Sequence, residues 1–160
     1  MQDTTKVGAV ALLLTRLRAY CDSGFALAIH IRYTRPSILY RTYHQGWIDH
    51  YSERGFMLSD PVVHWGLTNV GSVNWADLVD QDSQGVIKDA LAHGLHNGWT
   101  YAIGASTSRT IAGLTKSGAD FTDAERVDIR QIVDDLHALT EGLEGFEPGT
   151  QSALLALTDH

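Results

Sequence analysis

The groups in this 160-residue sequence that could move protons, attack a carbonyl or hold a metal are eight histidines, nineteen Asp and Glu residues and one cysteine. Their spacing favours none of those chemistries. His93 and His96 stand three apart, an acceptable pair for a metal on a helix, but no HExxH or CxxC pattern accompanies them. They are expected to be solvated or capping histidines, and no metal site is expected. Cys21 has no nucleophile signature around it, so no catalytic residue is assigned. Gly104, Gly113 and Gly118 do not form a phosphate loop. Gly104 and Gly113 are expected instead to leave the surface of a sheet open, as glycine in a strand often does.

A different arrangement occupies 43–65, YHQGWIDHYSERGFMLSDPVVHW. Tyr43, Trp47 and Tyr51 are spaced i, i+4, i+8, one face of a helix. Asp60 follows, ahead of a proline. Such a face is most often plain core. Yet buried Tyr and Trp need partners for their O–H and N–H groups, and a carboxylate facing an apolar cavity needs a donor. Trp75 offers a further aromatic wall. Thr115 shares a strand face with Ile111 and Gly113, so its hydroxyl is able to point where Gly113 leaves room. Together these residues suit a mostly apolar pocket with a few directional polar groups. From residue types alone, pocket wall and aromatic core both stand.

The elements that would position these residues are legible in outline. Residues 4–20 have helical periodicity through Val7, Val10, Ala11, Leu14 and Leu17. FALAIHIRY alternates, with Phe25, Leu27, Ile29, Ile31 and Tyr33 on one side and Ala26, Ala28, His30 and Arg32 on the other, a strand with a small-residue face. Residues 34–37 read as a turn and ILYRT as the returning strand of a hairpin. Helical spacing covers 43–54, and Ser59 or Asp60 caps another helix with Pro61 in its first turn. VGSVNWADL is irregular or a short strand. A helix is expected over 83–97, burying Val86, Ile87, Ala90, Leu91, Gly94 and Leu95. TYAIGAST and TIAGLT are strands. Thr122-Asp123-Ala124-Glu125 has capping-box form and opens a helix to about Leu143. The order predicts an α+β fold, an α-β-α sandwich with a central antiparallel sheet, PAS-like or GAF-like in general look.

Length suits one domain with a substantial core. Hydrophobic residues make up 44% and charged residues 19%, ordinary for a globular chain. A net charge of −7 argues against gripping a phosphate backbone directly. No run of some eighteen apolar residues exists, so no membrane span is expected. VGAVALLL lacks the basic flank and cleavage site of a signal peptide and reads as amphipathic helix. A single cysteine excludes an intrachain disulfide and points to a reducing compartment.

The spacing Tyr43-x3-Trp47-x3-Tyr51-x8-Asp60-Pro61, then Trp75, then Gly94-Leu95-x2-Gly98-x-Thr100, then Gly113-Leu114-Thr115, resembles the autoinducer-binding domain of LuxR-type quorum-sensing regulators. The resemblance spans nearly the whole chain. It implies binding of an N-acyl-homoserine lactone, without covalent chemistry and without a cofactor, in a cavity between sheet and helices. Trp47 would donate to the lactone carbonyl, and Asp60 would accept from the amide N–H. The Tyr43 hydroxyl, with that of Thr115, would donate to the amide carbonyl. Trp75 and Tyr51 would pack on the head group, and Val63 and Ile111 would line the tail. Ala102 stands where the family commonly has proline.

The resemblance also implies a bacterial cytoplasmic protein that is not an enzyme. It would act as a homodimer and reach DNA only through a C-terminal helix-turn-helix domain that this sequence lacks. Residues 1–144 are expected to form the ligand-binding domain and 145–160 a linker toward that half, LALTDH resembling its opening. The alternative is a stand-alone protein that sequesters signal or forms inactive heterodimers with a full-length regulator.

Overall fold

The computed structural model describes residues 4–157. Its centre is a five-stranded antiparallel sheet in the order β2-β1-β5-β4-β3, built from β1 (Phe25–Arg32), β2 (Arg35–Arg41), β3 (Gly71–Asn74), β4 (Trp99–Ile103) and β5 (Arg109–Leu114). Helices α1 (Thr4–Tyr20), α5 (Asp123–Leu139) and α6 (Pro148–Leu155) cover one face. The other carries α2 (Gln45–Glu53), α3 (Pro61–Thr68) and α4 (Val86–Ala92), with short 3-10 helices at Phe56–Leu58 and Trp75–Gln81. The expected α-β-α sandwich is the observed one.

The face under α1, α5 and α6 is filled by large side chains. Phe25, Leu27 and Ile29 of β1, Ile38 and Tyr40 of β2, Trp99 of β4 and Leu114 of β5 meet Val10, Leu14 and Leu17 of α1. Ile129, Ile132, Val133 and Leu136 of α5 close over them. The capping box fixes where α5 begins: Glu125 N–H donates to Thr122 Oγ1 at 3.1 Å, and Thr122 N–H donates to Glu125 Oε1 at 2.8 Å. The helix ends at Leu139, four residues short of the expected Leu143, where the Thr140 hydroxyl donates to the Leu136 carbonyl at 2.7 Å. Pro148–Leu155, within the stretch expected to lead away as a linker, forms α6 and packs on this core. Leu154 is fully buried, and the Tyr40 hydroxyl donates to its carbonyl at 2.6 Å. Residues 158–160 of LALTDH lie outside the described residues.

Alternation along β1 is interrupted where the sequence suggests continuity. The register with β5 shifts between Ala28 and Ile31, and His30 adopts φ +50°. The bulge turns Ile31 to the opposite face, where it packs with Ala102 and Ile111, so the expected row from Phe25 to Tyr33 stops at Ile29. His30 turns toward α5 instead. Its Nδ1 lies 2.7 Å from Ser108 Oγ and its Nε2 2.9 Å from the His137 carbonyl. The hairpin turn also comes earlier than expected. Arg32 pairs with Arg35, leaving Tyr33-Thr34 as a two-residue loop with Tyr33 at φ +61°. Pro36 is already in β2, tolerated because β2 is an edge strand.

The helix expected over 83–97 is shorter. Gly85, at φ +71°, precedes it, and the Asp82 carboxylate accepts from Val86 and Ile87 N–H at 2.7 and 2.8 Å. Leu91, expected inside, is 48% exposed.

Candidate functional site

The second face of the sheet is not filled. Ala26, Ala28 and Gly113 pave it with side chains too short to reach α2 and α3, leaving a cavity of about 510 Å³. The volume is in the range of small-molecule sites. Around it stand the aromatic residues of α2, the start of α3, Trp75 and the apolar face of α4.

α2 begins at Gln45 rather than Tyr43, because His44 is its N-cap. His44 Nδ1 accepts from Trp47 N–H at 3.2 Å, while Nε2 lies 2.8 Å from the His93 carbonyl, tying α2 to the end of α4. Tyr43 is therefore not on the helical face with Trp47 and Tyr51. It reaches the same cavity from the end of β2, and its hydroxyl donates to the Gly113 carbonyl at 3.2 Å. Trp47 and Tyr51, one turn apart, meet edge to face at 5.7 Å, with Phe56 packed against both.

Asp60 combines two roles. As N-cap of α3 it accepts through Oδ1 from Val62 N–H at 2.8 Å. Through Oδ2 it accepts from the Tyr51 hydroxyl at 2.8 Å. Burial pushes its carboxyl above the usual range, opposed by those two hydrogen bonds. Burial, reinforced by the Asp60 charge, also raises the Tyr51 phenol well above its ordinary value. Burial does the same to Tyr43, so both hydroxyls remain protonated donors at neutral pH. Each Asp60 oxygen keeps acceptor capacity beyond the bond it makes.

Trp75 is held by position and by hydrogen bonding. Its Nε1–H donates to Thr100 Oγ1 at 2.8 Å, and its ring lies against Gly98, where an added Cβ would come within 2.0 Å of it. A Cβ on Gly113 would meet the Tyr43 hydroxyl and the Trp75 ring at 3.4 and 3.5 Å, so this glycine keeps the floor low between them. Gly104 plays no such part. A Cβ there would strike His137 at 2.7 Å, so its glycine serves packing against α5 rather than an open sheet surface. Among the described residues the Trp47 indole N–H has no protein acceptor, unlike that of Trp75.

Seven residues singled out in the sequence, Tyr43, Trp47, Tyr51, Asp60, Val63, Trp75 and Ile111, thus line one cavity. Thr115 does not line it. It follows β5, where pairing with β1 has ended at Phe25–Leu114, and its hydroxyl donates to the Gly24 carbonyl at 2.6 Å. Thr100, quoted only as part of a motif, proves to be the partner of Trp75. Arg109 was also not singled out. Buried at the start of β5, it donates to the carbonyls of Gly66 and Asn69, which anchors the end of α3 to the sheet. No periodicity marks either residue, since both act through contacts distant in sequence.

His93 and His96 stand in different surroundings. His93 caps α4, its Nδ1 2.8 Å from the Asp89 carbonyl, and stacks near His50 and His44. His96 is exposed. Among the described residues no group of three or more His, Cys, Asp or Glu is placed to hold a metal ion. Burial pushes the Cys21 thiol up to about 12, which leaves it a poor nucleophile.

An α-β-α sandwich with a largely apolar cavity and a few aimed polar groups has the make-up of a small-molecule-binding domain. The chain belongs to the autoinducer-binding domain family of LuxR-type regulators, whose model matches residues 11–142. It is 31% identical over 71 residues to the regulatory protein SdiA of Escherichia coli strain K12, covering 44% of this chain and 30% of SdiA. It is 29% identical over 99 residues to the transcriptional activator SolR of Ralstonia nicotianae, covering 58% of this chain and 41% of SolR. The matches thus span less than half the length of these relatives. SdiA in complex with octanoyl-rac-glycerol superposes with a TM-score of 0.64 at 19% identity, over 90% of this chain and 61% of that one. The N-acylhomoserine lactone-dependent LuxR family factor CepR2 of Burkholderia cenocepacia gives 0.58 at 12% identity, over 88% and 95%. At those identities the solved structures establish the fold alone. SdiA is named a regulatory protein and SolR a transcriptional activator, and neither name is an enzyme's. No helix among the described residues is long and apolar enough to cross a membrane.

Proposed function

We propose that this domain is the signal sensor of a quorum-sensing transcription regulator and holds an N-acyl-homoserine lactone in the cavity without altering it. The observation that carries this reading is the joining of the cavity's apolar wall to Asp60, Tyr51, Tyr43 and the unpartnered Trp47 indole. The ligand amide N–H donates to Asp60, which has acceptor capacity left. The amide carbonyl accepts from Tyr43, which exchanges its bond to Gly113 for the ligand. Trp47 donates to the lactone carbonyl, and the ring lies against Trp75 and Tyr51. Val63 and Ile111 flank the acyl chain. Thr115, with its hydroxyl on the Gly24 carbonyl and outside the cavity lining, has no part in this reading. In this reading the protein is cytoplasmic and is not an enzyme. Ligand favours the folded state and a homodimer, and DNA is reached through a helix-turn-helix half outside this sequence.

The octanoyl-rac-glycerol held by SdiA motivates a second ligand class, in which a glycerol hydroxyl replaces the amide as donor to Asp60. A melting series with acyl-homoserine lactones of graded chain length and with octanoyl-glycerol separates the two. A ligand at a hundred times its Kd adds about 2.7 kcal/mol, a rise of roughly 5–10 °C for a domain of this size. A rise confined to lactones of one length range, abolished in Asp60→Asn, supports the primary reading. A rise with the acylglycerol alone replaces it with the second, and no rise with either removes both.

A further inference from the structure

Only two residues lining the cavity carry a formal charge, Asp60 and Arg41. Asp60 is buried and hydrogen-bonded within the protein. Arg41 is exposed and, among the described residues, meets no carboxylate or other acceptor. It stands on β2, the edge strand, where the cavity opens. Around the opening lie Thr34, Leu39, Ser52, Met57 and Leu58, all exposed, with Leu58 at 85%.

The register fixes how this mouth relates to the polar end. Arg41 pairs with Ala26, and Ala26 pairs with Gly113, whose carbonyl accepts from Tyr43. Arg41 is therefore two strand spacings, about 10 Å, from Gly113 across a floor of small side chains. A chain crossing the strands from the head-group end has no large side chain on the sheet in its way, and it emerges beside a guanidinium. The ligand class already proposed has its polar atoms at one end, whereas this cavity has polar groups at two.

We propose that Arg41 is a specificity-determining residue for the far end of the ligand, selecting an acyl chain that ends in an anionic group such as a carboxylate over one that ends in a methyl. The inference rests on the sensing function proposed above and names the ligand more narrowly. Chemically, a carboxylate at the mouth keeps part of its hydration and gains a charge-assisted pair with a planar fork. A bare methyl there gains only contact with Leu39, Met57 and Leu58. A plainly structural Arg41 would instead cover the apolar rim with its stem, head in water.

The test compares N-decanoyl-homoserine lactone with its counterpart carrying a terminal carboxylate, by Kd, in the wild type and in Arg41→Met and Arg41→Glu. Arg41→Met keeps an apolar stem and removes only the charge. The expected result is a loss of preference for the carboxylated ligand of about three- to tenfold in Arg41→Met and more in Arg41→Glu, shrinking as salt is raised. An unchanged ratio in both variants, with the decanoyl lactone still bound, overturns the role of Arg41 and leaves the sensing function standing. Failure of every lactone of the graded series, with either end group, to bind the wild type overturns the lactone reading and this inference together.

Discussion

Leu27 and Ala28 are neighbours in one strand and face opposite sides of one sheet. On Leu27's side the strands carry Phe25, Ile29, Ile38, Tyr40 and Trp99 into a core with three helices over it. On Ala28's side they carry Ala26, Ala28 and Gly113 beside Ile31 and Ile111, and the facing helices supply aromatic rings and a carboxylate around an unfilled volume. The two faces share backbone, hydrogen bonds and twist, so their difference lies in side-chain size. One face obtains stability by filling space to native density. The other gives up dispersion contacts, and its remaining polar groups point at whatever fills the gap. A stable closed face lets the open one remain incomplete.

The comparison breaks most visibly through truncation on the closed face. Leu27→Ala is expected to cost about 3 kcal/mol, as a fully buried leucine deleted into a cavity does. The loss should be the same with or without a bound ligand, checked by denaturant unfolding in both states. Equal losses place Leu27 outside the binding site. A loss that ligand abolishes would mean the two faces are not independent.

The adjacent substitution should behave in the opposite way. Ala28→Leu inserts bulk into open volume, so its effect on the unliganded domain is expected to stay within about 1.5 kcal/mol in either direction, while ligand-induced stabilisation disappears. A core position would instead show overpacking with a larger loss. A cost above about 3 kcal/mol would mean that the gap at Ala28 is already closed by the neighbours.

Much of this asymmetry was legible in the sequence, because both faces are written in period two: Phe25, Leu27 and Ile29 against Ala26 and Ala28. The aromatic set and Asp60 were legible because each sits near a local signal, a helical repeat or a cap followed by proline. The bulge at His30 was not. A left-handed histidine carries no composition signal, and its cause is a partner 107 positions away, the His137 carbonyl. The same limit hid Arg109, whose acceptors belong to α3, and Thr100, whose partner is Trp75. It also hid α6, because EGLEGFEPGTQ has linker composition and only the contact of Leu154 with β2 and α1 makes the following residues part of the domain. Thr115 was placed by extending strand alternation one residue past the point where pairing stops.

The smallest expected effect is a difference in pH response between the two faces. On the closed face, burial and the neighbouring His30 lower the pKa of His137, whose ring lies 4.2 Å from that of His30. The folded state then holds this proton less tightly than the unfolded chain. The stability is present above the free histidine value of about 6.5 and is lost as pH falls below it. On the cavity face, burial raises Asp60. Here the folded state holds the proton more tightly, so the penalty is absent below the free aspartate value of about 3.9 and grows as pH rises through the raised value. Melting temperatures between pH 4 and 8 should therefore flatten at the acid end in His137→Asn and lose part of their decline toward neutral pH in Asp60→Asn. These changes are expected to be small beside those of Leu27→Ala and Ala28→Leu, because solvent screens the half-buried His137. Ligand should reverse only the second signature, because an amide donor on Asp60 stabilises its ionised form while nothing in the cavity touches His137. A ligand that altered both slopes equally would show the closed face taking part in binding, and the division between the two faces would no longer describe how the domain works.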